Sequence, residues 1–248
     1  MKIYAIADLH LAISVENKNM DLFGKAWEGY MERLATNWQN TCSDEDVVIV
    51  PGDVSWAMQL PEMEADFAYL KALPGKKLLL KGNHDYWWTT AAKLEKYRLE
   101  WDLTDIFFIH NNCYMIENVA ICGTRGWLMP SDKKFKQEDD LIYKREYQRL
   151  ERSLQEAVAK NAEYIICALH YPPFSLNAEE PQEFIELMGR YGVKKCVFGH
   201  VHSAGGQFAL WETRAKELGE STGIDFSLVS ADYLAFQPVL LLESCVQA

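Results

Sequence analysis

The amino-acid sequence predicts an α/β fold with parallel strands, and three observations support this prediction. Short apolar segments in the first part of the chain each end in a polar turn, as buried strands do. The stretches between these segments carry apolar residues at the spacing of an amphipathic helix. The resulting strand–helix–strand order requires crossover connections, which place consecutive strands parallel.

The first half contains three predicted strands, which cover residues 2–7, 46–50 and 77–80. The first predicted helix covers residues 20–40, where large apolar side chains recur at helical spacing. The second predicted helix covers residues 61–73, because proline is favoured at its first position and Pro74-Gly75 ends it. A further helix is expected to begin near Thr89.

The second half predicts shorter strands with tight connections. Residues 106–109, 112–117 and 119–122 are expected to form antiparallel hairpins, followed by a polar and aromatic loop over 123–137. The remaining predicted elements are a helix over 139–160, a strand over 164–169, a helix over 181–191, and strands over 195–198, 224–229 and 239–242. No repeat or linker interrupts the chain, so residues 1–248 are predicted to form a single domain.

Composition excludes some classes of protein. The formal net charge of -11 argues against a broad nucleic-acid-binding face, because phosphate backbones require clustered Lys and Arg. The six cysteines form no C-x-x-C pair and mostly adjoin apolar residues, which predicts reduced thiols and a cytoplasmic protein. The first residues enter a strand without the layout of a signal peptide, and no apolar run is long enough to span a bilayer.

Polar side chains able to bind a metal follow five of the predicted strands. These groups are Asp8 with His10, Asp53, Asn83, His170, and His200 with His202. Five of the six histidines lie at these strand ends, if His84 beside Asn83 is counted, and only His110 does not. A lone histidine is usually a satisfied core residue, but five at the ends of strands indicate a shared site. Open α/β sheets place their ligands at this edge.

The spacing within two of these groups predicts how the side chains converge. An extended chain would send Asp8 and His10 to one face and Leu9 to the other, and the same holds for His200 and His202. Gly52 and Gly199 precede ligand positions, where the backbone is expected to turn or approach a neighbour closely. Mixed carboxylate, imidazole and amide ligands suit divalent Mn, Fe, Co, Ni or Zn.

Together these motifs resemble the calcineurin-like metallophosphoesterase family, whose order of motifs they match from Asp8 to His202. The resemblance implies a four-layer α/β/β/α sandwich of two mixed sheets with two metal ions between the sheet ends. It implies that one ion is held by Asp8, His10 and His202, that the other is held by Asn83, His170 and His200, and that Asp53 bridges them. It also implies that His84 is a catalytic residue, which stabilises the phosphoryl oxygens or protonates the leaving alkoxide.

The function that follows is that of a metal-dependent phosphoric ester hydrolase acting on a phosphate mono- or diester. Two cations that share one water lower its pKa, so the resulting hydroxide attacks phosphorus directly and no phosphoenzyme forms. One departure from the superfamily's protein Ser/Thr phosphatases is that Asp53 is followed by Val54-Ser55-Trp56-Ala57, without their acidic residue and arginine. Phosphoprotein phosphatase activity is therefore disfavoured, and a small phosphate ester is the expected substrate.

Several roles stay open from the sequence. Arg125 is expected either to bind a substrate phosphate or to form a structural salt bridge. Asp85 supports the turn or the His84 ring, or it caps the following helix. Trp87 and Trp88 wall the pocket or pack that helix against the sheet.

Two other functions compete with the hydrolase. A non-catalytic binding module on the same scaffold would be expected to lose ligands or His84, and all of them are present. A nuclease is disfavoured by the acidic charge balance. The choice between monoester and diester, the metals and the oligomeric state are not fixed by the sequence.

Overall fold

A computed structural model describes residues 1–15, 18, 20, 24–178, 182–202 and 207–243, and within them the chain forms two five-stranded sheets. The strands of the first sheet, in spatial order, are β10 (Val239–Glu243), β1 (Lys2–Ala5), β2 (Val47–Val50), β3 (Lys76–Leu79) and β4 (Ile106–Phe108). Strand β10 pairs antiparallel with β1, and the other neighbours pair parallel. The predicted parallel order of β1, β2 and β3 is therefore confirmed.

The second sheet has the same mixed character. Its strands, in spatial order, are β5 (Cys113–Ile116), β6 (Val119–Thr124), β7 (Tyr164–Leu169), β8 (Lys195–Phe198) and β9 (Asp225–Leu228). Strands β5 and β6 form the predicted antiparallel hairpin, and β6 to β9 are parallel. The carboxyl ends of β7 and β8 consequently lie side by side.

Within the described residues, six α-helices lie in the connections. They are α1 (Tyr30–Thr41), α2 (Glu64–Lys71), α3 (Ala91–Glu100), α4 (Asp139–Ala159), α5 (Glu183–Arg190) and α6 (Phe208–Thr222). Short 3-10 helices at Lys25–Trp27 and Leu60–Met63 precede α1 and α2. Among the described residues, no helix combines the length and the apolar character needed to cross a bilayer.

Three apolar cores arrange these elements in four layers. Alternate residues of the first sheet pack against α1, α2 and α3, as Tyr4 and Leu34 do. Residues of the second sheet pack against α4, α5 and α6, as Cys167 and Leu154 do. The inner faces of both sheets meet in the third core, to which the first sheet contributes Ile3. The predicted α/β/β/α sandwich of two mixed sheets is confirmed, and period-2 alternation along the strands explains its layering.

Two predicted elements differ from the observed ones. Strand β4 was predicted in an antiparallel hairpin but pairs parallel with β3, because α3 supplies a crossover between them. The helix predicted over 20–40 is not continuous: the chain turns at Gly24 (φ 117°) and Gly29 (φ 57°), and α1 begins only at Tyr30. Residues 21–23 of that prediction lie outside the described residues.

One helix has no counterpart in the sequence prediction. Helix α6 buries only Ala215 and Leu218, so its apolar periodicity is too weak to indicate a helix. Five cysteines fall in the described ranges, and each is buried and free, as predicted: Cys42, Cys113, Cys122, Cys167 and Cys196.

A buried ion pair between β3 and the turn before β4 gives a test of the fold. Lys77 is 0% exposed, and its ammonium group donates to Leu73 O at 2.5 Å and to Asp105 Oδ2. We expect Asp105→Ala to lower the free energy of unfolding by about 2–4 kcal/mol, because a buried ammonium loses its counter-charge. Urea denaturation measures this change.

A surface pair provides the matched control. Asp102 is 79% exposed and pairs with Lys71 at 3.1 Å. Because Asp102 has a φ of 50°, the control substitution is Asp102→Asn, which removes the charge but tolerates this conformation and should cost less than about 1 kcal/mol. Equal losses in the two variants would contradict the importance assigned to the buried pair.

Candidate metal centre

The seven predicted ligands follow the carboxyl ends of five strands, and the structure brings these ends together. The loops after β1 and β2 are joined by backbone hydrogen bonds from Asp8 N to Gly52 O (3.0 Å) and from His10 N to Asp53 O (2.9 Å). The loops after β7 and β8 are joined by a bond from Gly199 N to His170 O (3.1 Å). Because the two sheets pack face to face, the two pairs of loops meet at one edge.

One group of ligand atoms contains Asp8, His10 and His202. These atoms lie within 4.8 Å of one another, and His10 Nε2 is 3.4 Å from His202 Nε2. This is the set that the family resemblance assigns to one ion. The Asp8 carboxylate also accepts a hydrogen bond from His200 N, at 3.0 Å to Oδ2, which fixes its orientation.

A second group surrounds the imidazole of His170. Its Nε2 atom is 2.7 Å from Asn83 Oδ1 and 3.2 Å from His200 Nδ1. On the other side of the ring, Nδ1 lies 3.1 Å from Pro51 O, so an Nδ1–H tautomer can donate to this carbonyl. That tautomer leaves Nε2 free as a ligand atom, which is how metal-binding histidines are usually oriented.

Asp53 lies between the two groups. Its Oδ2 atom is 3.8 Å from His10 Nε2 and 3.5 Å from His170 Nε2. Oδ1 accepts a hydrogen bond from His84 N at 2.8 Å, whereas Oδ2 is buried without a hydrogen-bond partner among the described residues. A buried and unpaired carboxylate oxygen is costly, so its position fits a ligand atom for a cation.

The backbone explanation predicted for the convergence is wrong. Asp8 (φ 60°) and His10 (φ 46°) are in the left-handed region rather than in an extended strand, and β1 has already ended at Ala5. Asp53 (φ 50°) and His200 (φ 70°) adopt the same conformation. Side chains converge here because tight left-handed turns direct them, at a cost in backbone energy that is typical of functional sites. Leu9 is nevertheless buried in the core, as expected.

Close backbone approach explains two glycines beside the ligands. A Cβ atom at Gly199 would lie 2.6 Å from Asp8 Oδ2, and a Cβ at Gly82 would collide with Asp53 Oδ1. Neither position can therefore accept a larger residue without moving a ligand. The close approach predicted for Gly199 is confirmed.

Asp85 supports the turn, and it does not cap the following helix. Its carboxylate accepts hydrogen bonds from Val54 N, Ser55 N, Gly82 N and Trp87 Nε1, at 2.7–3.2 Å. Helix α3 is instead capped by the side chain of Thr90. The carboxylate thus ties the loop after β2 to the loop after β3, which positions two sets of ligands relative to each other.

His84 lies at the edge of the donor groups, half-buried. Its ring centroid is 4.5 Å from that of Trp56 and 5.7 Å from that of His10. Trp56 also stacks on His10 at 5.0 Å, so one indole holds both imidazoles. Trp87 and Trp88 are buried in the helix-side core, which confirms the packing alternative for Trp87, whereas Trp88 packs there and also lines a cavity beside Thr89 and Arg125.

Arg125 forms the salt-bridge contact considered for it. Its Nη2 is 3.6 Å from Glu146 Oε1, and the guanidinium lies 4.4 Å from the centroid of the Trp127 ring. The Arg125 carbonyl accepts hydrogen bonds from His170 N and Tyr171 N, so the residue adjoins the donor groups. Its role in binding a substrate phosphate stays a prediction.

One residue of the site was missed by sequence reasoning. Asp232 Oδ1 lies 3.1 Å from His202 Nδ1, which orients the ring and leaves Nε2 directed at His10. Asp232 follows β9 and is brought here by the pairing of Ala7 with Ser230. No local motif marks this aspartate, so only the tertiary structure reveals it.

Burial is the largest influence on the pKa values of the candidate metal ligands Asp8, His170 and His202. It raises the pKa of Asp8 to about 7, although His202 opposes the shift, and it lowers the pKa of His170 to about 3. Burial also disfavours protonation of His202, but the hydrogen bond that its ring donates to Asp232 and the charge of Asp8 raise its pKa to about 9. Protein groups alone therefore leave the buried carboxylates poorly compensated, and divalent cations would supply the missing positive charge.

Comparison with known proteins agrees with this chemistry. A model of calcineurin-like phosphoesterases matches residues 1–204. A relative called a probable cyclic nucleotide phosphodiesterase, from Vesicomyosocius okutanii subsp. Calyptogena okutanii, is 25% identical over 168 residues, or 64% of this chain. The chain spans 63% of the length of that relative.

Solved structures support the fold. A protein of unknown function from Aquifex aeolicus has a TM-score of 0.51 at 17% identity and covers 96% of this chain and 95% of its own. A phosphopantetheinyl hydrolase from Mycobacterium tuberculosis has a TM-score of 0.51 at 16% identity, with 100% and 98% coverage. At these identities the likeness concerns the fold alone.

The contact between Asp232 and His202 generates a test that needs no substrate. We expect Asp232→Ala to weaken metal binding by about 10–100-fold, because His202 loses the group that fixes its tautomer and orientation. Metal content after equilibration with limiting Mn²⁺ is measured by mass spectrometry. Asp225→Ala, which removes a surface partner of Lys195 on β9, is the matched control and should bind metal like the unaltered chain. Equal occupancy in both variants would refute the role of Asp232.

Proposed function

The chain belongs to the calcineurin-like phosphoesterase family, and we propose that it hydrolyses small phosphate mono- or diesters with the help of two divalent cations. The observation that carries this proposal is the meeting of seven potential ligands around Asp53 and His170. Their carboxylate, imidazole and amide donors suit Mn, Fe, Zn, Co or Ni, and the unpaired Asp53 Oδ2 lies between the two groups.

The proposed ligands divide into two sets. Asp8, His10 and His202 would hold one ion, and Asp53 would contribute to both sites. The second set would consist of Asn83, His170 and His200. When bound, such cations supply the Lewis acidity that activates a water molecule and neutralises charge on a phosphoryl group.

His84 is the proposed catalytic residue. Its backbone N–H donates to Asp53 and its ring packs at a tilt against Trp56, which holds the imidazole beside the proposed metal ligands. From there it would donate a hydrogen bond to a phosphoryl oxygen or a proton to the leaving alkoxide. Because no side-chain nucleophile is required, the phosphoryl group is expected to pass directly to water.

The choice of substrate class has two supports. A curated relative is named a probable cyclic nucleotide phosphodiesterase, which favours a diester over a monoester. The net charge of -11 disfavours a long nucleic-acid substrate and hence a nuclease. A purely binding module would not need the complete ligand set together with His84. Buried free cysteines are consistent with a cytoplasmic location, which we also propose.

Replacement of His84 separates catalysis from metal binding. We expect His84→Ala to keep its metal content but to lower kcat by about 10²–10⁴-fold, because a positioned proton donor is lost. The assay follows 4-nitrophenolate release from 4-nitrophenyl phosphate and bis(4-nitrophenyl) phosphate with added Mn²⁺, alongside metal analysis.

Asp53→Asn is the counterpart variant, which should lose bound metal as well as turnover because the shared carboxylate is gone. Thermal unfolding of both variants controls for misfolding. Unchanged turnover in His84→Ala, or full metal occupancy in Asp53→Asn, would overturn the assigned roles.

A further inference from the structure

A second cavity adjoins the metal centre, and its lining is basic. It has a volume of about 360 Å³ and lies between the ends of β3, β4 and β6, the start of α3 and one side of α4. Three cationic side chains line it, Lys81, Arg125 and Arg149, against a single carboxylate, that of Glu146. In a chain with a net charge of -11, this concentration of positive charge requires an explanation.

The carboxylate is already engaged and does not neutralise the cavity. Glu146 is fully buried, accepts a hydrogen bond from Thr124 Oγ1 at 2.5 Å and pairs with Arg149 at 2.6 Å. Its distance to Arg125 is 3.6 Å, which is too long for a hydrogen bond. Glu146 therefore binds Arg149 through a hydrogen bond, whereas its longer ion pair with Arg125 leaves the guanidinium of Arg125 without a hydrogen-bonded acceptor.

Two of the cations have unused hydrogen-bonding capacity. The Arg125 side chain is only 14% exposed, yet within the described ranges its guanidinium makes no hydrogen bond, and its Nε is buried without a partner. The structure also gives the Lys81 ammonium no ion pair or hydrogen bond with any described residue. A guanidinium offers five donors in a fixed fork, which matches the oxygens of a phosphate.

The remaining lining also favours an anion. Thr89 and Thr90 lie at the start of α3, where the positive end of the helix dipole adds positive potential at this side of the cavity. His110, the one histidine outside the metal-binding motifs, also lines it. These polar groups add hydrogen-bonding capacity without adding negative charge.

The cavity is close enough to the metal centre to contact the same substrate molecule. Lys81 precedes Asn83 by two residues, which limits their Cα separation to about 7 Å. Arg125 O accepts the backbone hydrogen bonds of His170 (3.1 Å) and Tyr171 (2.9 Å). One covalent ligand can therefore place a phosphoryl group at the donor groups and another anionic group at Arg125.

We propose that this cavity binds a second phosphoryl group of the substrate, so that the substrate class is a phosphate ester carrying another phosphate a few bonds away. The proposal rests on the proposed function for its catalytic half, whereas anion binding by the cavity stands without it. Arg125 and Lys81 act as specificity-determining residues, since they contact the second phosphate and not the ester that is cleaved.

Binding is tested first, on metal-stripped full-length protein, by calorimetric titration with inorganic phosphate. We expect saturable binding that weakens by about tenfold or more in Arg125→Met and in Lys81→Met, because each variant loses charge-assisted hydrogen bonds. Arg152→Met, on the exposed face of α4 and outside the cavity, is the matched control and should bind as the unaltered chain does. Unaltered affinity in both cavity variants, or no phosphate binding to the unaltered chain, would overturn the anion site.

A kinetic assay tests whether the cavity binds a phosphate that is part of the substrate or only free phosphate. Thymidine 5'-(4-nitrophenyl phosphate) and its 3'-phosphorylated derivative differ only in the second phosphate. We expect the derivative to have a kcat/KM about tenfold higher or more, and we expect Arg125→Met to bring the ratio of the two kcat/KM values close to one. An advantage that persists in Arg125→Met, or no advantage despite phosphate binding, would refute the substrate class. If neither ester is hydrolysed with any metal, the proposed function is refuted. The phosphate titration would still show whether the cavity binds an anion.

Discussion

The burial of two aspartates and two imidazoles at a single edge is the constraint on which this site depends. Asp8, Asp53, His10 and His170 are each at most 2% exposed, and His200 lies against His170. Removing such carboxylates from water is unfavourable unless positive charge or hydrogen bonds replace the lost solvation. Backbone N–H groups satisfy Asp8 and one oxygen of Asp53, and the other oxygen of Asp53 is left unpaired. Two cations would resolve this imbalance.

The fold supplies the geometry through rigid elements and tight turns. Strands of both sheets end at the same edge, and the core between the sheets fixes how these ends face each other. Left-handed turns at Asp8, Asp53 and His200 then direct the side chains inward. Hydrogen bonds to Asp85, and the contact of Asp232 with His202, hold the loops and rings in place. Preorganisation of this kind limits the reorganisation that metal binding or catalysis would require.

The sequence predicted the ligand positions because each one follows a strongly apolar strand, and the convergence of such strand ends is a general property of α/β sheets. It also predicted the close approach at Gly199, because this glycine directly precedes a ligand position. It could not predict Asp232, which reaches His202 only through a tertiary pairing, or the left-handed turns, which no residue type demands. The parallel pairing of β4 was missed because the short connections that follow it are typical of antiparallel hairpins, although a helix was expected to begin near Thr89.

The most direct test of the central claim is a crystal structure of the protein equilibrated with Mn²⁺, with anomalous scattering data to locate the ions. The account predicts two anomalous peaks about 3.5–4 Å apart on either side of the Asp53 carboxylate. One peak should be ligated by Asp8, His10 and His202, and the other by Asn83, His170 and His200. A single peak, or peaks that do not contact Asp53, would contradict the account.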